Sequence, residues 1–214
     1  MHFCTDWYNI AAPFIGSSTM ARSLEFDRNK ALQAAMKLFW CRGYTATSLP
    51  DLLAVMGIAR SSFYATFSTK RLLFAESLDL FAERTLAVVE KQASELPAAQ
   101  LPRAFFEATL LHVPLSRAVE GCMMVNTLIE LADVDPEFSQ LAHQKLGKIE
   151  QAFSQAFSKE QQKNPLPSNH SPQQLAAKVM LINYGLRVHS RSKPSRAELK
   201  ISIDNGLSML GLAA

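Results

Sequence analysis

The sequence contains few of the residues that build disulfide, metal or phosphate-loop sites. Its 214 residues include three cysteines, which are too few and too scattered for a disulfide framework or a zinc cluster: Cys4, Cys41 and Cys122. The five histidines form no metal-ligand pair, and neither a glycine-rich phosphate loop nor another catalytic motif occurs. No apolar run approaches the roughly 20 residues of a membrane-spanning helix. We therefore expect that the protein is not an enzyme, that it binds no metal or other cofactor, and that it has no membrane partner.

The apolar residues follow a helical period. They recur at every third or fourth position, and no stretch shows the strict alternation of a half-buried strand. With 48% hydrophobic residues, the chain can bury a sizeable core and divide into two modest domains. The sequence therefore predicts an all-α protein, which we expect to be soluble and cytoplasmic.

Residues 49–56 have the pattern of a short helix with clear start and stop signals. The apolar positions share one face: Leu49, Leu52, Leu53 and Met56. Ser48 with Asp51 three residues later resembles a capping box, and Pro50 is compatible with the first turn, whose N–H groups lack intrahelical partners. Gly57 is expected to end the helix with a positive φ, so that a second helix can follow after a short turn.

Residues 60–67 predict that second helix, with a narrow outward face. Phe63 and Phe67 lie one turn apart and are expected to anchor it to the preceding helices. The opposite side and its flanks carry small or polar side chains: Ser61, Ser62, Tyr64 and Ala65. Arg60 lies in the first turn, from which its guanidinium can reach a guanine edge or a phosphate. Because such a face permits close approach to base edges, the pattern is typical of a DNA-binding helix-turn-helix unit.

The distribution of charge favours the same function. Residues 20–75 contain eight Lys and Arg against three Asp and Glu, a net charge of +5 in a chain of +3, so that the remainder carries −2. A basic segment joined to a mildly acidic body is the electrostatic pattern of a domain that meets phosphates. The alternative is a helical adaptor or ligand-binding protein without sequence-specific DNA binding, in which the polar face of this helical hairpin is merely solvated.

Motifs between residues 26 and 81 resemble the DNA-binding domain of the TetR (tetracycline-repressor-like) family of bacterial transcription regulators. They are the helix-one aromatics, Gly43-Tyr44, Thr47-Ser48, Gly57-Ile58, Phe63-Tyr64, Phe67, Lys70 and Leu72-Leu73. The resemblance implies an N-terminal three-helix helix-turn-helix domain and a C-terminal helical domain for ligand binding and dimerisation. It also implies a homodimeric repressor that binds double-stranded operator DNA and is released by a small, partly apolar effector.

The resemblance further implies three kinds of DNA contact. Arg60 and Ser61 would contact bases or lie near them, Ser62 and Tyr64 would contact the base flank or a phosphate, and Ser48 and Lys70 would contact phosphates. Lys70 would lie at the start of a helix, where its charge and the exposed N–H groups both favour an anion. Ala59 departs from the family pattern, because a capping Ser, Thr or Asn is usual at that position.

The rest of the chain predicts further helices. One runs from Lys70 to about Gln92, and in the family this helix connects the two domains and moves when ligand binds. Others are predicted over 102–112, over 122–131, from 136 through 157, and after the capping patterns at 171 and 195. The resemblance implies that the last two helices pair with their twofold mates as a four-helix bundle.

We expect three parts in the chain. Residues 1–19 would be a disordered extension, 20–69 the DNA-binding domain, and 70–214 the ligand-binding and dimerisation domain. The first nineteen residues carry no basic region, and Pro13 and Gly16 break their apolar run, so a secretory signal is not predicted.

Side chains of the predicted C-terminal helices are candidates for an effector pocket. We expect apolar lining from Phe105, Phe106, Met123, Met124, Phe153 and Tyr184. Polar groups that could orient a ligand are His112, Asn126, Thr127 and Glu130. Ordinary core packing is the alternative interpretation of the same residues.

Cys122 follows Gly121 at the predicted start of a helix, where N-terminal dipoles can lower the pKa of a thiol. This position leaves a second function open, that of a thiol-based sensor of oxidants or electrophiles. The alternative is an unreactive thiol that is simply packed in the core.

Overall fold

The computed structural model describes residues 26–163 and 170–211. Within these ranges every regular element is a helix, which confirms the predicted all-α fold. The α-helices are α1 (Arg28–Arg42), α2 (Leu49–Met56), α3 (Arg60–Phe67), α4 (Lys70–Glu95), α5 (Leu101–Phe106), α6 (Leu115–Ala118), α7 (Met123–Leu131), α8 (Pro136–Gln161), α9 (Pro172–Ser190) and α10 (Arg196–Ser208). The extension predicted for residues 1–19 lies outside the described residues.

Aromatic side chains join α1 to the long helix α4. The ring of Phe39 meets Phe74 edge-on at 5.0 Å between centroids, and Trp40 meets Phe81 in the same way at 4.9 Å. Edge-to-face pairs of this kind add to the free energy of burying the rings. They therefore fix the N-terminal helices against the first half of α4.

The turn between α2 and α3 has the chemistry that its sequence predicts. Ser48 and Asp51 form a capping box, in which each side chain accepts from the other residue's backbone N–H. Gly57 ends α2 in the left-handed region with φ +65°, and its N–H donates to the carbonyl of Leu53 at 3.0 Å. Ala59 precedes α3 without a side-chain cap, as its methyl group requires.

Helix α4 connects the N-terminal helices to the rest of the molecule. It begins after Thr69, whose hydroxyl accepts from the N–H of Leu72 at 3.1 Å, and it ends at Glu95, three residues beyond the predicted end. Its 26 residues span about 39 Å at the usual helical rise. It packs against α1 on the N-terminal side and against α5, α7 and α8 on the C-terminal side, so α4 contacts both parts of the molecule.

The helix predicted over residues 102–112 is divided. After α5 the backbone widens into a π-helical turn, Glu107–Leu111, in which the N–H of His112 reaches the carbonyl of Glu107 at 2.8 Å. The short helix α6 follows after Pro114 and was not predicted. Hydrophobic spacing could not identify the π-helical turn, because Phe106 and Leu110 are four residues apart, as in an uninterrupted α-helix.

The last four helices enclose the C-terminal part of the hydrophobic core, which is continuous with the N-terminal part. Helix α8 packs against α4, α7 and α9, while α10 packs against α9 and α5. Both α9 and α10 begin with the predicted capping boxes, at Ser171 and Ser195. Gly206 of α10 lies so close to Ile182 that a Cβ there would be 2.8 Å from its Cγ2, and this close approach brings α9 and α10 together.

Candidate DNA-binding surface and effector region

Helix α3 buries two side chains and leaves the others partly or fully exposed. Phe63 and Phe67 are fully buried, and their rings lie 6.1 Å apart. Ser62 is half-buried, and the remaining candidates on this helix are exposed: Arg60, Ser61, Tyr64 and Ala65. The face predicted to approach DNA is thus open to solvent and bears no large aliphatic side chain.

Arg60 differs from most arginines of the basic segment in its electrostatic surroundings. Its guanidinium lies over the ring of Tyr64, 5.8 Å from the centroid, and it forms no ion pair with a described residue. By contrast, Arg28, Arg42 and Arg71 pair with carboxylates of Glu76, Asp51 and Asp135, respectively. The positive charge of Arg60 is therefore the one on α3 that remains available to an external anion.

Ser48 is exposed at the start of α2, and its hydroxyl has a local role. It accepts from the N–H of Asp51 and donates to the carboxylate of the same residue. These bonds lower the pKa of Asp51, with the hydroxyl of Ser48 as the largest cause. A phosphate at this position would meet a hydroxyl that is already oriented by the capping box.

Lys70 is half-buried in the first turn of α4. Its Nζ lies 4.3 Å from the centroid of the Tyr44 ring. Burial lowers the pKa of Lys70, and the nearby carboxylate of Glu130 opposes that shift. Lys70 thus lies at the helix start that was predicted to favour a phosphate, and it also adjoins the second half of the molecule.

Glu130 of α7 binds the backbone that follows α1. Its two carboxylate oxygens accept from the N–H of Tyr44 at 3.1 Å and from the N–H of Thr45 at 2.7 Å. Gly43 has φ +82°, and a Cβ on it would collide with the carboxylate of Glu130. Glu130 is therefore directed at the N-terminal unit, and it does not face the buried aromatic residues among which it was considered as an orienting group.

A second polar contact joins the two halves near the end of α1. The indole Nε1 of Trp40 donates to the carbonyl of Glu120 at 3.1 Å, and the amide of Asn126 donates to the same oxygen at 2.9 Å. Near the start of α8, Arg71 bridges to both Asp135 and Glu137. Two separate polar contacts thus link the end of α1 and the backbone after it to the C-terminal helices, and Arg71 joins the start of α4 to the start of α8.

The residues predicted for the effector pocket lie at different depths. Five apolar members are buried: Phe105, Phe106, Met123, Met124 and Phe153. Phe105 and Phe153 touch edge-on with centroids 5.4 Å apart. Tyr184 is half-buried, and burial raises its pKa. These side chains occupy the interior among α5, α7, α8 and α9.

The polar candidates are less well placed for ligand contact. Thr127 is buried, but its hydroxyl donates to the carbonyl of Met123 in its own helix at 2.8 Å. The side-chain amide of Asn126 donates to the carbonyl of Glu120, and His112 is exposed at the end of the π-helical turn. An open groove on the surface runs between α4 and α8 past Arg71 and Phe138, and none of the predicted effector residues lines it.

Cys122 is the N-cap of α7 and is buried. Burial raises the pKa of its thiol, while Arg187 and the N–H groups of Val125 and Met124 act in the opposite direction. The expected lowering by the helix N-terminus is therefore outweighed by desolvation of the thiolate. A protonated, enclosed thiol reacts slowly, so these surroundings favour the packed-thiol interpretation.

Sequence reasoning missed Arg187, which lies in the same core with 5% of its surface exposed. It follows Leu186 on α9 and lies one turn after Asn183, which is also buried. The signal was present in the spacing, since Val179, Asn183 and Arg187 share one helix face. An arginine on that face was overlooked because arginines are mostly exposed.

This geometry defines a DNA-binding protein of the helix-turn-helix class, in which a second helical region is joined to the DNA-binding unit by specific polar contacts. Comparison with known proteins agrees. A model of "Bacterial regulatory proteins, tetR family" matches residues 31–77. In the described part of the chain, no helix has both the length and the apolar character needed to cross a bilayer.

Two curated relatives extend the match beyond the helix-turn-helix unit. The chain is 30% identical over 176 residues to the HTH-type transcriptional repressor ComR of Escherichia coli (strain K12), covering 81% of this chain and 84% of ComR. It is 33% identical over 135 residues to the uncharacterized HTH-type transcriptional regulator YezE of Bacillus subtilis (strain 168), covering 63% of this chain and 70% of YezE. The chain therefore belongs to the TetR family and is a DNA-binding transcriptional regulator.

Solved structures share the fold over nearly the whole chain. The TetR family regulator CifR, in a complex with 26-base-pair operator DNA, aligns with a TM-score of 0.79 at 24% identity, covering 87% of this chain and 98% of CifR. The reduced form of NemR from E. coli aligns with a TM-score of 0.72 at 19% identity, covering 86% and 94% of the two chains. At these identities the likeness concerns the fold.

Proposed function

We propose that this protein is a homodimeric repressor that binds a palindromic operator and is released from it by a small, partly apolar molecule. The exposed face of α3, tipped by the unpaired charge of Arg60, is the observation that carries the proposal. Similarity to the repressor ComR and to CifR in its complex with operator DNA supports it. In this proposal residues 20–69 bind DNA, residues 70–214 bind the effector and the second subunit, and the protein acts in the cytoplasm.

The proposed DNA contacts depend on how far each side chain can reach into the major groove. With only Ser61 and Ala65 on its outermost positions, α3 can approach the major groove closely. Arg60 would then bond a base edge, while Ser62 and Tyr64 on the flanks meet neighbouring bases or the backbone. Ser48 and Lys70, each at a helix start, would meet phosphates, because exposed N–H groups there add to the attraction.

Operator binding is tested by selecting bound sites from random DNA and measuring affinity by fluorescence anisotropy at two salt concentrations. We expect a palindromic site with half-sites about 34–36 Å apart, or a multiple, and a steep dependence on salt. Arg60→Ala should weaken binding to the selected site by about 1–3 kcal/mol and relax the sequence preference at one base position. Equal losses on selected and random DNA would contradict the assigned role of Arg60.

Lys70→Ala should behave differently from Arg60→Ala. Because a phosphate contact carries no sequence information, affinity should fall alike for all sequences, and the salt slope should shrink by about one. Lys148→Ala is the matched control, since Lys148 is an exposed lysine on α8, outside the helix-turn-helix unit. An unchanged salt slope in Lys70→Ala, or the same change in the control, would exclude a phosphate contact.

Exposed apolar side chains on the last two helices support a homodimer. Leu181 and Val188 on α9 lie two turns apart and are 67% and 51% exposed, and Ile201 of α10 is 58% exposed. Gly185 lies between the first two and is also exposed, so a second helix could approach α9 closely there. A second copy of the pair would cover these side chains, and two recognition helices would read both halves of a palindrome.

Leu181→Glu should therefore shift the protein towards the monomer. A buried carboxylate at the centre of an apolar interface is desolvated on association, which disfavours the dimer strongly. Ile129→Glu is a control with the same 67% exposure on a different helix. Sedimentation velocity should show dissociation in the first variant alone, and a wild-type sedimentation coefficient in Leu181→Glu would refute this interface.

A further inference from the structure

Arg187 is a buried cation in the core of the C-terminal helices. Its side chain extends from α9 towards α5 and the π-helical turn, and its guanidinium carbon lies 5.8 Å from the centroid of the Phe105 ring. Burial lowers its pKa, which reflects poor solvation of its charge at this position. A desolvated guanidinium is expensive to maintain unless its charge and its N–H groups are satisfied.

The described acceptors of Arg187 are all uncharged. Nε donates to Oδ1 of Asn183 at 3.1 Å, while the two terminal nitrogens donate to the carbonyl of Thr109 at 3.3 Å and to its hydroxyl at 2.6 Å. No described carboxylate lies within ion-pair distance, although Arg191, the C-cap of α9, pairs with Glu120 at 2.8 Å. A guanidinium has five N–H groups, so these bonds leave two without an acceptor in the described residues.

The principal partner of Arg187 belongs to the irregular part of the helix. Thr109 lies in the π-helical turn, and its hydroxyl also donates to the carbonyl of Phe105 at 2.7 Å. Single π-helical turns interrupt α-helices frequently at functional sites. Here the widened turn directs a carbonyl and a hydroxyl at the same buried cation.

We infer that Arg187 anchors the carboxylate of the effector, and that the effector is a small carboxylic acid with an apolar body. This assignment rests on the proposed function, in which the C-terminal helices bind a ligand. A carboxylate offers the guanidinium a charge-assisted hydrogen bond and the negative charge that its described partners lack. One carboxylate neutralises one buried positive charge, whereas a phosphate dianion would leave a surplus negative charge beside the ring of Phe105.

The position also connects ligand binding to the DNA-binding unit. A Cβ on Gly121 would be 3.3 Å from the carbonyl of Arg187, so α9 touches the chain just before α7 at this point. The preceding residue, Glu120, supplies the carbonyl that accepts from Trp40 of α1. An acid bound at Arg187 therefore lies next to a segment that contacts the helix-turn-helix unit directly.

The test compares carboxylic acids with their amides, which have the same shape and no charge. The full-length protein is titrated calorimetrically with acetate and acetamide, phenylacetate and phenylacetamide, and benzoate and benzamide, at constant ionic strength and neutral pH. We expect at least one acid to bind tenfold or more tightly than its amide, and Arg187→Gln to remove that preference. If no acid is preferred, or if Arg187→Gln retains the preference, the inference is wrong.

A second pair of variants keeps the test decisive if Arg187→Gln does not fold. Thr109→Asp puts a carboxylate where the hydroxyl now binds the guanidinium, and Thr109→Asn is its uncharged counterpart. The Asp variant should have a higher Tm than the Asn variant and should lose the preference for acids, because its own carboxylate takes the place of the ligand. If Thr109→Asp had a lower Tm than Thr109→Asn, the guanidinium of Arg187 would not lack a negatively charged partner, and the inference would be wrong.

Inorganic phosphate is titrated in parallel, and tighter binding of phosphate than of every acid would overturn the choice of a carboxylate. The titrations contain no DNA, and operator binding is measured separately. A failure of operator binding would thus refute the proposed function alone, whereas a missing preference for acids would refute this inference and leave operator binding intact.

Discussion

Phe63→Ala is expected to reduce the free energy of unfolding by about 3–5 kcal/mol and to abolish operator binding. Phe63 is fully buried, and it anchors α3 together with Phe67. Because α3 has only eight residues and no side-chain cap, it has little helical stability of its own and depends on these two rings. Removal of one ring leaves a cavity under the helix that must present Arg60 to DNA.

Urea denaturation followed by circular dichroism measures the first effect, and fluorescence anisotropy with operator DNA measures the second. Phe63→Leu is the matched control, because it preserves most of the buried volume and should retain both folding and measurable DNA binding. If Phe63→Ala bound the operator as tightly as the wild-type protein, α3 could not be the helix that reads DNA. A loss of stability below about 1 kcal/mol would contradict its role as an anchor.

Glu130→Gln is expected to weaken the junction between the two halves of the molecule and to reduce the free energy of unfolding by about 2 kcal/mol. The wild-type carboxylate accepts from two backbone N–H groups, at Tyr44 and Thr45, and hydrogen bonds to a charged group contribute about 1.5–3 kcal/mol. A glutamine has one acceptor oxygen, and its NH2 group would face the remaining N–H donor. One of the two hydrogen bonds is therefore lost, and one backbone N–H group faces the NH2 group of the glutamine, which is also a donor.

The same variant should also lower affinity for the operator. The junction sets how α1 to α3 are held against α4 and α7, and hence the separation of two recognition helices in a dimer. A looser junction spreads that separation over a range, so a smaller fraction of the molecules matches the half-site spacing. Equilibrium unfolding and anisotropy measure the two effects, with Asp133→Asn as a control that removes an exposed carboxylate nearby. Wild-type values for both quantities in Glu130→Gln would refute the proposed coupling.

Sequence patterns predicted most helices because their signals are local. Capping boxes begin α2, α9 and α10, and Gly57 ends α2, since each of these effects depends on residues within one turn. The π-helical turn at Glu107–Leu111 escaped prediction because Phe106 and Leu110 are four residues apart, as in an uninterrupted α-helix. Helix α6 escaped because four residues between Pro114 and Val119 carry too little periodicity to register.

The candidate site was predictable to different degrees in its two parts. The outward side of α3 follows from the positions of Phe63 and Phe67, and the DNA contacts proposed for it stay predictions. In the C-terminal helices, the apolar members of the predicted pocket are buried, but Glu130 and His112 point elsewhere and Arg187 was missed. Helical spacing gives the face on which a residue lies, but it does not give the partner that this face meets.

From its sequence alone, this protein is determined to be an all-α regulator whose short helix buries two phenylalanines and exposes a slim, basic face, because helical period and capping are properties of neighbouring residues. Only the tertiary structure decided that a carboxylate on α7 holds the backbone after α1, and that an arginine on α9 is buried beside a threonine from a widened turn. Those contacts join residues about 80 positions apart, and their geometry depends on how complete helices pack.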